Sequence, residues 1–335
     1  MARRERTPTD RSESATTLLR GGWVAAWDGN QHRVVEGGEV VFRGTEITYV
    51  GPHYDGHVDV VEDRPEWFIC PGFINLHAHV GMELIASLVD VPMFTQFTTS
   101  REFVTSAPLN LWPSLTPEEQ QLGGEFSLVQ MVRTGCTTVV DAAGSGTMWW
   151  LGNPPEDEAM LAETVDRIGC RAYLALNFRS ERPYEKRDGS RGWHSDEEMG
   201  QAGLQAALRF ADAHHNTCDG RVQAILTPHA VDNCSPTLLE STLSSARSRG
   251  LLIQIHASQR QFEVEKMWRV HGTSPIGYLH RLGFLGPDIT LAHCVYTSGH
   301  PSAKGEPSYD LDLIRDAGSS VAHSPWPFAL GGEAL

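Results

Sequence analysis

His77 and His79 stand two residues apart at the end of the apolar run Phe68-Ile69-Cys70-Pro71-Gly72-Phe73-Ile74-Asn75-Leu76. In an extended strand, residues i and i+2 point to the same face, so two imidazoles share one side at the strand's end. Imidazole suits Zn, Fe, Ni and similar divalent ions; two on one face make half of a metal site. Other short apolar runs end the same way: Thr227-Pro228-His229-Ala230, Ile255-His256-Ala257-Ser258-Gln259, Ala292-His293-Cys294 and Ala322-His323-Ser324-Pro325. Five of seven strand candidates thus close on histidine, in a chain with 15 histidines. Asp141 closes another, as a ligand-supporting or purely structural carboxylate. One histidine alone at such a place is ordinarily a hydrogen-bonded structural residue, and that reading stays open for His323. Convergence of His77, His79 and His256, with His229 and His293, argues for ligation and catalysis.

Lysine is scarce at the positions that matter. The chain holds only Lys186, Lys266 and Lys304, none at a strand end. A carbamylated lysine bridging two metals is therefore unavailable, and one ion is expected. A zinc ion with three protein ligands lowers the pKa of a bound water to about 7 and makes a nucleophile of it.

Those residues need elements to position them. From residue 68 onward, strand-length apolar runs (68–76, 136–142, 171–178, 222–228, 251–256, 289–293 and 319–323) alternate with amphipathic helix-length segments. Helix starts are marked by Thr116-Pro117-Glu118-Glu119, Ser195-Asp196-Glu197-Glu198 and Ser235-Pro236-Thr237, the last two before helices at 196–214 and 236–249. Gly135, Gly169 and Gly250 fall where helices should stop. Repeated βα units imply a parallel sheet with helices outside it, and a (β/α)₈ barrel places its active site at the C-terminal strand ends. The expected class is α/β, a TIM-type barrel incomplete at about seven βα units. Residues 18–67 read as short strands, Leu18-Leu19, Trp23 to Ala26, Gly38 to Phe42 and Ile47 to Gly51, cut by glycine-rich turns. The expected organisation is a polar, disordered tail over 1–17, a small β module over 18–67 and the barrel over 68–335.

Composition excludes several functions. With 27 basic and 42 acidic residues, the formal charge of −15 disfavours nucleic acid and anionic membranes as partners. A hydrophobic fraction of 40% is ordinary for a globular chain. No run approaches the ~18 apolar residues of a membrane helix, and residues 1–17 lack the apolar core of a secretory signal. The six cysteines are scattered, with no CxxC pair, so a disulfide framework is not expected. Cytoplasmic location and a small-molecule substrate follow as expectations; a homodimer stays open. No G-x-S-x-G elbow is present, which argues against a serine hydrolase.

The ordered set Pro71 to His79, Thr227 to Ala230, Ile255 to Gln259, Ala292 to Cys294 and Val321 to Pro325 resembles the amidohydrolase superfamily, in particular its triazine-hydrolase, chlorohydrolase and cytosine-deaminase-like branch. The resemblance runs from about residue 18 to the end. It implies that His77, His79 and His256 bind one divalent ion, Zn²⁺ first and Fe²⁺ second. It implies that His229 touches a substrate carbonyl or ring nitrogen, and that His293 polarises the attacking water or a developing oxyanion. The N-terminal strands would then form part of a β-sandwich.

Two departures qualify the resemblance. Many deaminases of this branch carry a proton-shuttling glutamate three residues after the strand-five histidine; this chain has Gln259, an amide without acid–base capacity. A substrate-orienting role replaces it, and leaving groups that need less protonation stay in play. The strand-eight aspartate implied by the family has no counterpart before Leu335. The expectation is a barrel cut short, either a piece of a longer enzyme or a truncated product, with weak or no turnover by residues 1–335. Trp149, Trp150 and Phe94, with Phe97, Phe103, Trp326 and Phe328, are candidates for stacking on a planar substrate, and His323 for contacting it. The expected activity is hydrolysis of a non-peptide C–N bond of a nitrogen heterocycle. Hydrolytic dehalogenation is the near alternative, and a truncated, non-catalytic metal-binding protein the distant one.

Overall fold

The computed structural model describes residues 15–81, 117–142, 155–185, 191–301 and 309–330. The chain divides into two compact units, Met1–Gly72 and Phe73–Leu335.

In the first unit, β1 (Thr16–Trp27), β2 (His32–Glu36), β3 (Glu39–Arg43), β4 (Glu46–Gly51) and β5 (Val60–Ile69) form one sheet. The order is β2-β1-β3-β4 with antiparallel neighbours, and β5 runs parallel to β1. The Gly21-Gly22 pair, read from sequence as a turn, lies inside β1. A Cβ on Gly22 would stand 2.1 Å from the Pro65 carbonyl oxygen, so glycine admits the close approach of β5 at an irregularity between Gly21 and Trp23. Strand β5 ends at Ile69, so the run expected as one strand over 68–76 is split at Pro71-Gly72 between the two units.

The second unit opens with β6 (Phe73–Ala78) and β7 (Cys136–Asp141). Barrel strand three is two pieces, β8 (Arg171–Leu174) and β9 (Asn177–Phe178). A hairpin of β10 (Glu181–Glu185) and β11 (Arg191–Ser195) follows. Strand four is also two pieces, β12 (Val222–Ala224) and β13 (Thr227–Pro228). Then come β14 (Ile253–Ala257), β15 (Ile289–His293) and β16 (Ser320–Ala322). The helices are α1 (Pro117–Arg133), α2 (Pro155–Ile168), α3 (Glu197–His214), α4 (Pro236–Arg249), α5 (Gln261–His271), α6 (Pro275–Arg281), α7 (Asp310–Ala317) and α8 (Pro325–Leu330).

Parallel pairing follows chain order: β6 to β7, β7 to β8, β8 to β12, β9 to β13, β14 to β15 and β15 to β16. Bridges Leu226–Ile253 and Ala230–His256 join the fourth position to β14. Among the described residues β6 and β16 are the ends of this run. Helix α4 shows how local chemistry sets an element. Ser235 caps it by accepting from the Leu238 N–H at 3.0 Å, Pro236 occupies its first turn, and Gly250 ends it at φ +67°. Leu174, Leu204, Leu226, Ile253, Ile255, Leu291 and Phe284 sit in one buried cluster, which fixes the strand ends carrying the histidines. No helix among the described residues is long and apolar enough to cross a membrane.

Candidate metal centre

Four strand ends deliver the histidines to one place. His77 lies in β6, and His79 follows it. His256 lies in β14 and His293 ends β15; the parallel register sets His256 opposite Ala292 and Ala257 opposite His293. His229 follows β13, and its neighbour Ala230 bridges to His256. Nitrogen atoms of His77, His256 and His293 lie within 4.8 Å of one another. The ring of His79 is 4.8 Å from that of His77 and 5.5 Å from His256, and His229 is 5.1 Å from His256. The tightest triad by nitrogen distance therefore contains His293 where the family resemblance implies His79, while His79 packs beside it.

Hydrogen bonds set which nitrogen faces inward. Gln254 Nε2 donates to the Leu76 carbonyl at 2.8 Å, which turns its Oε1 toward His77. His77 Nδ1 lies 2.7 Å from that oxygen and must be the protonated nitrogen, leaving a lone pair on Nε2. His256 Nδ1 likewise donates to the His229 carbonyl at 2.5 Å, leaving Nε2 as its lone-pair atom. Metal-binding histidines are oriented in this way by the partner of the other ring nitrogen. His77 Nε2 and both nitrogens of His293 are buried without a hydrogen-bond partner among the described residues. Buried polar atoms of this kind need a reason, and a divalent ion on imidazole lone pairs supplies one.

Electrostatics point the same way. Burial holds the His77 imidazole below its usual range, opposed by the Gln254 hydrogen bond. Burial and then the neighbouring histidines push His79 well down, burial lowers His256 to about 3, and burial with His256 and His77 depresses His293. Neutral rings are the ligand form.

The ends of β14 and β15 take unusual backbone conformations. Ser258, His293 and Cys294 adopt φ values of +50°, +78° and +50°, a region that side-chain-bearing residues visit rarely and that clusters at functional sites. The Cys294 N–H donates to the Ala257 carbonyl at 3.1 Å and the Tyr296 N–H to the Ser258 carbonyl at 2.8 Å. Buried Glu263 of α5 accepts from the N–H groups of Ser258 and Gln259 at 2.7 and 2.8 Å. The same helix carries Lys266, whose ammonium meets the Asp232 carbonyl and, at 2.5 Å, Glu181. Helix α5 thus clamps the turns that follow both β13 and β14.

Gln259 itself is partly buried beside this turn. Asp141, fully buried, accepts from the Val80 N–H at 3.1 Å and so anchors the backbone just past His79. His323 is exposed and donates from Nδ1 to the His293 carbonyl at 3.0 Å. Phe328 is buried with its ring 5.1 Å from His293, whereas Trp326 is 71% exposed. Trp149, Trp150, Phe94, Phe97 and Phe103 lie outside the described residues. Sequence reasoning missed Arg179, buried just past β9; after burial, its charge is the strongest influence holding the His229 imidazole well down. An arginine directly after the apolar run 171–178 was the signal.

This fold is that of metal-dependent hydrolase barrels, and the histidine cluster fits a divalent ion. The amidohydrolase family model matches residues 68–327, and the chain belongs to that family. It is 27% identical over 297 residues to 5-methylthioadenosine/S-adenosylhomocysteine deaminase of Thermoanaerobacter pseudethanolicus, covering 87% of this chain and 59% of the relative. It is 26% identical over 314 residues to 5'-deoxyadenosine deaminase of Methanosarcina mazei, covering 93% and 62%. The chain thus spans about three fifths of the length of these curated relatives. Among solved structures, a triazine hydrolase from Arthrobacter aurescens superposes with a TM-score of 0.74 at 20% identity, over 95% of this chain and 67% of that one. A zinc-bound adenosine deaminase from Xanthomonas campestris gives 0.72 at 18%, over 96% and 65%. Their shared fold is the TIM-type metallo-hydrolase barrel.

Two predictions follow from this geometry. Zinc titration of the metal-depleted chain should give one tight site that is lost in His77→Ala and His256→Ala. Gln254→Leu should weaken it about 10- to 100-fold, the usual cost of losing a ligand's supporting partner; unchanged affinity would show that Gln254 does not set the His77 tautomer. The second concerns Glu263, whose carboxyl is raised above its ordinary range by burial and then by Asp232. A raised carboxyl stabilises the fold below its unfolded value, and that contribution is lost as pH rises through the folded value. Stability from urea unfolding should therefore fall between about pH 5 and about pH 9. Glu263→Gln should be less stable at the acid end yet flatter across the window.

Proposed function

We propose that this chain carries the active site of a metal-dependent hydrolase that releases an amino group from a nitrogen heterocycle. The observation that supports it most is the gathering of uncharged imidazoles from four strand ends, with the Nε2 lone pairs of His77 and His256 left free of hydrogen bonds by their Nδ1 partners. In this reading His77, His79 and His256 hold a single divalent ion, Zn²⁺ before Fe²⁺. The ion, when bound, supplies Lewis-acid activation of water. His293, within the same cluster, is the proton-handling group on the water side. His229 binds the substrate's ring nitrogen or carbonyl. Gln259 orients the leaving-group side without exchanging a proton, since a carboxamide does not titrate.

The two curated relatives named above are deaminases of 5'-modified adenosines or related nucleosides, which favours an adenine-type ring as substrate. A neutral, planar ring also suits the uncharged site. Gln259 favours one second reading on the same scaffold, hydrolytic dehalogenation, because chloride departs without a proton. Cytoplasmic action on a free small molecule completes the proposal.

A panel of 5'-methylthioadenosine, 5'-deoxyadenosine, guanine and a chlorotriazine separates these readings by ammonium or chloride release from the zinc-loaded chain. Whatever turnover is seen should be ammonium release from the adenosine-type compounds, and His293→Gln should lower it by about 100-fold or more. Gln259→Glu should raise ammonium release by about 100-fold relative to chloride release, because it restores a group able to protonate an amine. Chloride release alone would move the assignment to dehalogenation. Stoichiometric zinc with no turnover, in wild type and Gln259→Glu alike and even after a C-terminal extension is added, would favour a non-catalytic metal-binding protein.

A further inference from the structure

Asn233 lies in the short 3₁₀ turn Val231–Asn233, directly after His229 and Ala230. Its carboxamide is in contact with the His229 ring, Nδ2 to Nδ1 at 2.6 Å. The other end of the same amide settles its orientation. Asn233 Oδ1 accepts from the Ala230 N–H at 3.0 Å, and a backbone N–H can only donate. Turning the amide over would set its NH₂ against that N–H, two donors facing each other in a buried place. Asn233 Nδ2 therefore donates, and His229 Nδ1 must accept.

The turn that carries Asn233 is pinned on both sides. The Ser180 N–H donates to the Asn233 carbonyl at 3.1 Å. Lys266 donates to the Asp232 carbonyl and pairs with Glu181, while its ammonium lies 4.5 Å from the centre of the Trp193 ring. Asn233 is itself 4% exposed. The amide is thus a rigid reporter of hydrogen-bond polarity beside the site.

We infer that Asn233 is a positioning residue that fixes His229 in the tautomer opposite to that of His77 and His256. Those two rings are protonated on Nδ1 and turn the Nε2 lone pair inward. His229 accepts at Nδ1, so its hydrogen is on Nε2. A protonated Nε2 cannot bind a metal ion, yet it can donate to an acceptor atom of a bound ring. One cluster of chemically identical side chains is divided into ligands and a substrate donor by the polarity of single partners: the Gln254 oxygen, the His229 carbonyl and the Asn233 NH₂. This rests on the proposed metal site for its meaning, and it sharpens substrate choice: the compound must present a ring nitrogen or carbonyl oxygen, not an N–H, toward His229.

The test is nitrogen NMR on the full chain labelled with ¹⁵N-histidine, with His229 assigned through His229→Gln. In the metal-free wild type, His229 should show a pyrrole-type Nε2 and a pyridine-type Nδ1. Asn233→Asp should reverse or abolish that pattern, because a carboxylate accepts from Nδ1–H; Asn233→Ala should release the ring to a mixture. Adding Zn²⁺ should move the Nε2 signals of His77 and His256 and leave the His229 Nε2 pyrrole-type. A pyrrole-type Nδ1 on His229 in the wild type, or loss of its Nε2 proton when zinc binds, would overturn the inference. If no histidine responds to zinc, the metal reading fails while the His229 pattern still decides the role of Asn233.

Discussion

The candidate site depends on uncharged imidazole lone pairs held facing one another inside a barrel. Left alone, such an arrangement is unfavourable, since buried acceptors without donors lose their hydration and gain nothing. The fold enforces it with hydrogen bonds on the outer edges of His77 and His256. Gln254 reaches His77 across 177 positions of sequence, and the carbonyl of His229 holds His256. The parallel register between β14 and β15 then places His293 one step from His256. A site of this kind is prepared before any ion arrives, which keeps the reorganisation needed for binding small.

Around that centre the chain accepts local strain. Three residues with side chains take left-handed backbone conformations at the ends of β14 and β15. Paired backbone hydrogen bonds tie the two ends together, and the buried Glu263 carboxyl holds the turn at Ser258. Helix α5 has a larger part than its length suggests. Glu263 and Lys266, three residues apart on its inner side, fix the two turns that present Gln259 and Asn233. Changes on this helix should therefore be felt in substrate handling before they are felt in the metal.

Much of the site was legible because it is written in residue types. HxH after an apolar run, and histidine closing successive strands, can be read without coordinates. The α/β alternation and the caps at Ser235 and Gly250 were legible for the same reason: serine before proline and glycine after the last turn have local causes. What escaped depends on pairing between distant segments. Strand β2 is mostly exposed and β5 contains Glu62, Asp63, Arg64, Pro65 and Glu66, so neither shows an apolar pattern; their partners on β1 make them strands. The hairpin of β10 and β11 carries charged and aromatic residues with no alternation, so its sequence does not mark it as strand. The Gly21-Gly22 pair read as a turn because glycine serves turns and close approaches alike. The roles of Gln254 and Asn233 could not be read at all. An amide is donor or acceptor according to which backbone atom reaches its other end, and only the fold decides that.

The most direct measurement is a crystal structure of the zinc-soaked chain with anomalous data at the zinc edge. One peak is expected among His77, His79, His256 and His293, about 2.0–2.1 Å from Nε2 of His77 and of His256, with His229 outside the coordination sphere. An anomalous peak elsewhere, or ligation through Nδ1 of either ring, would contradict the central claim that outer hydrogen bonds turn these imidazoles toward a common ion.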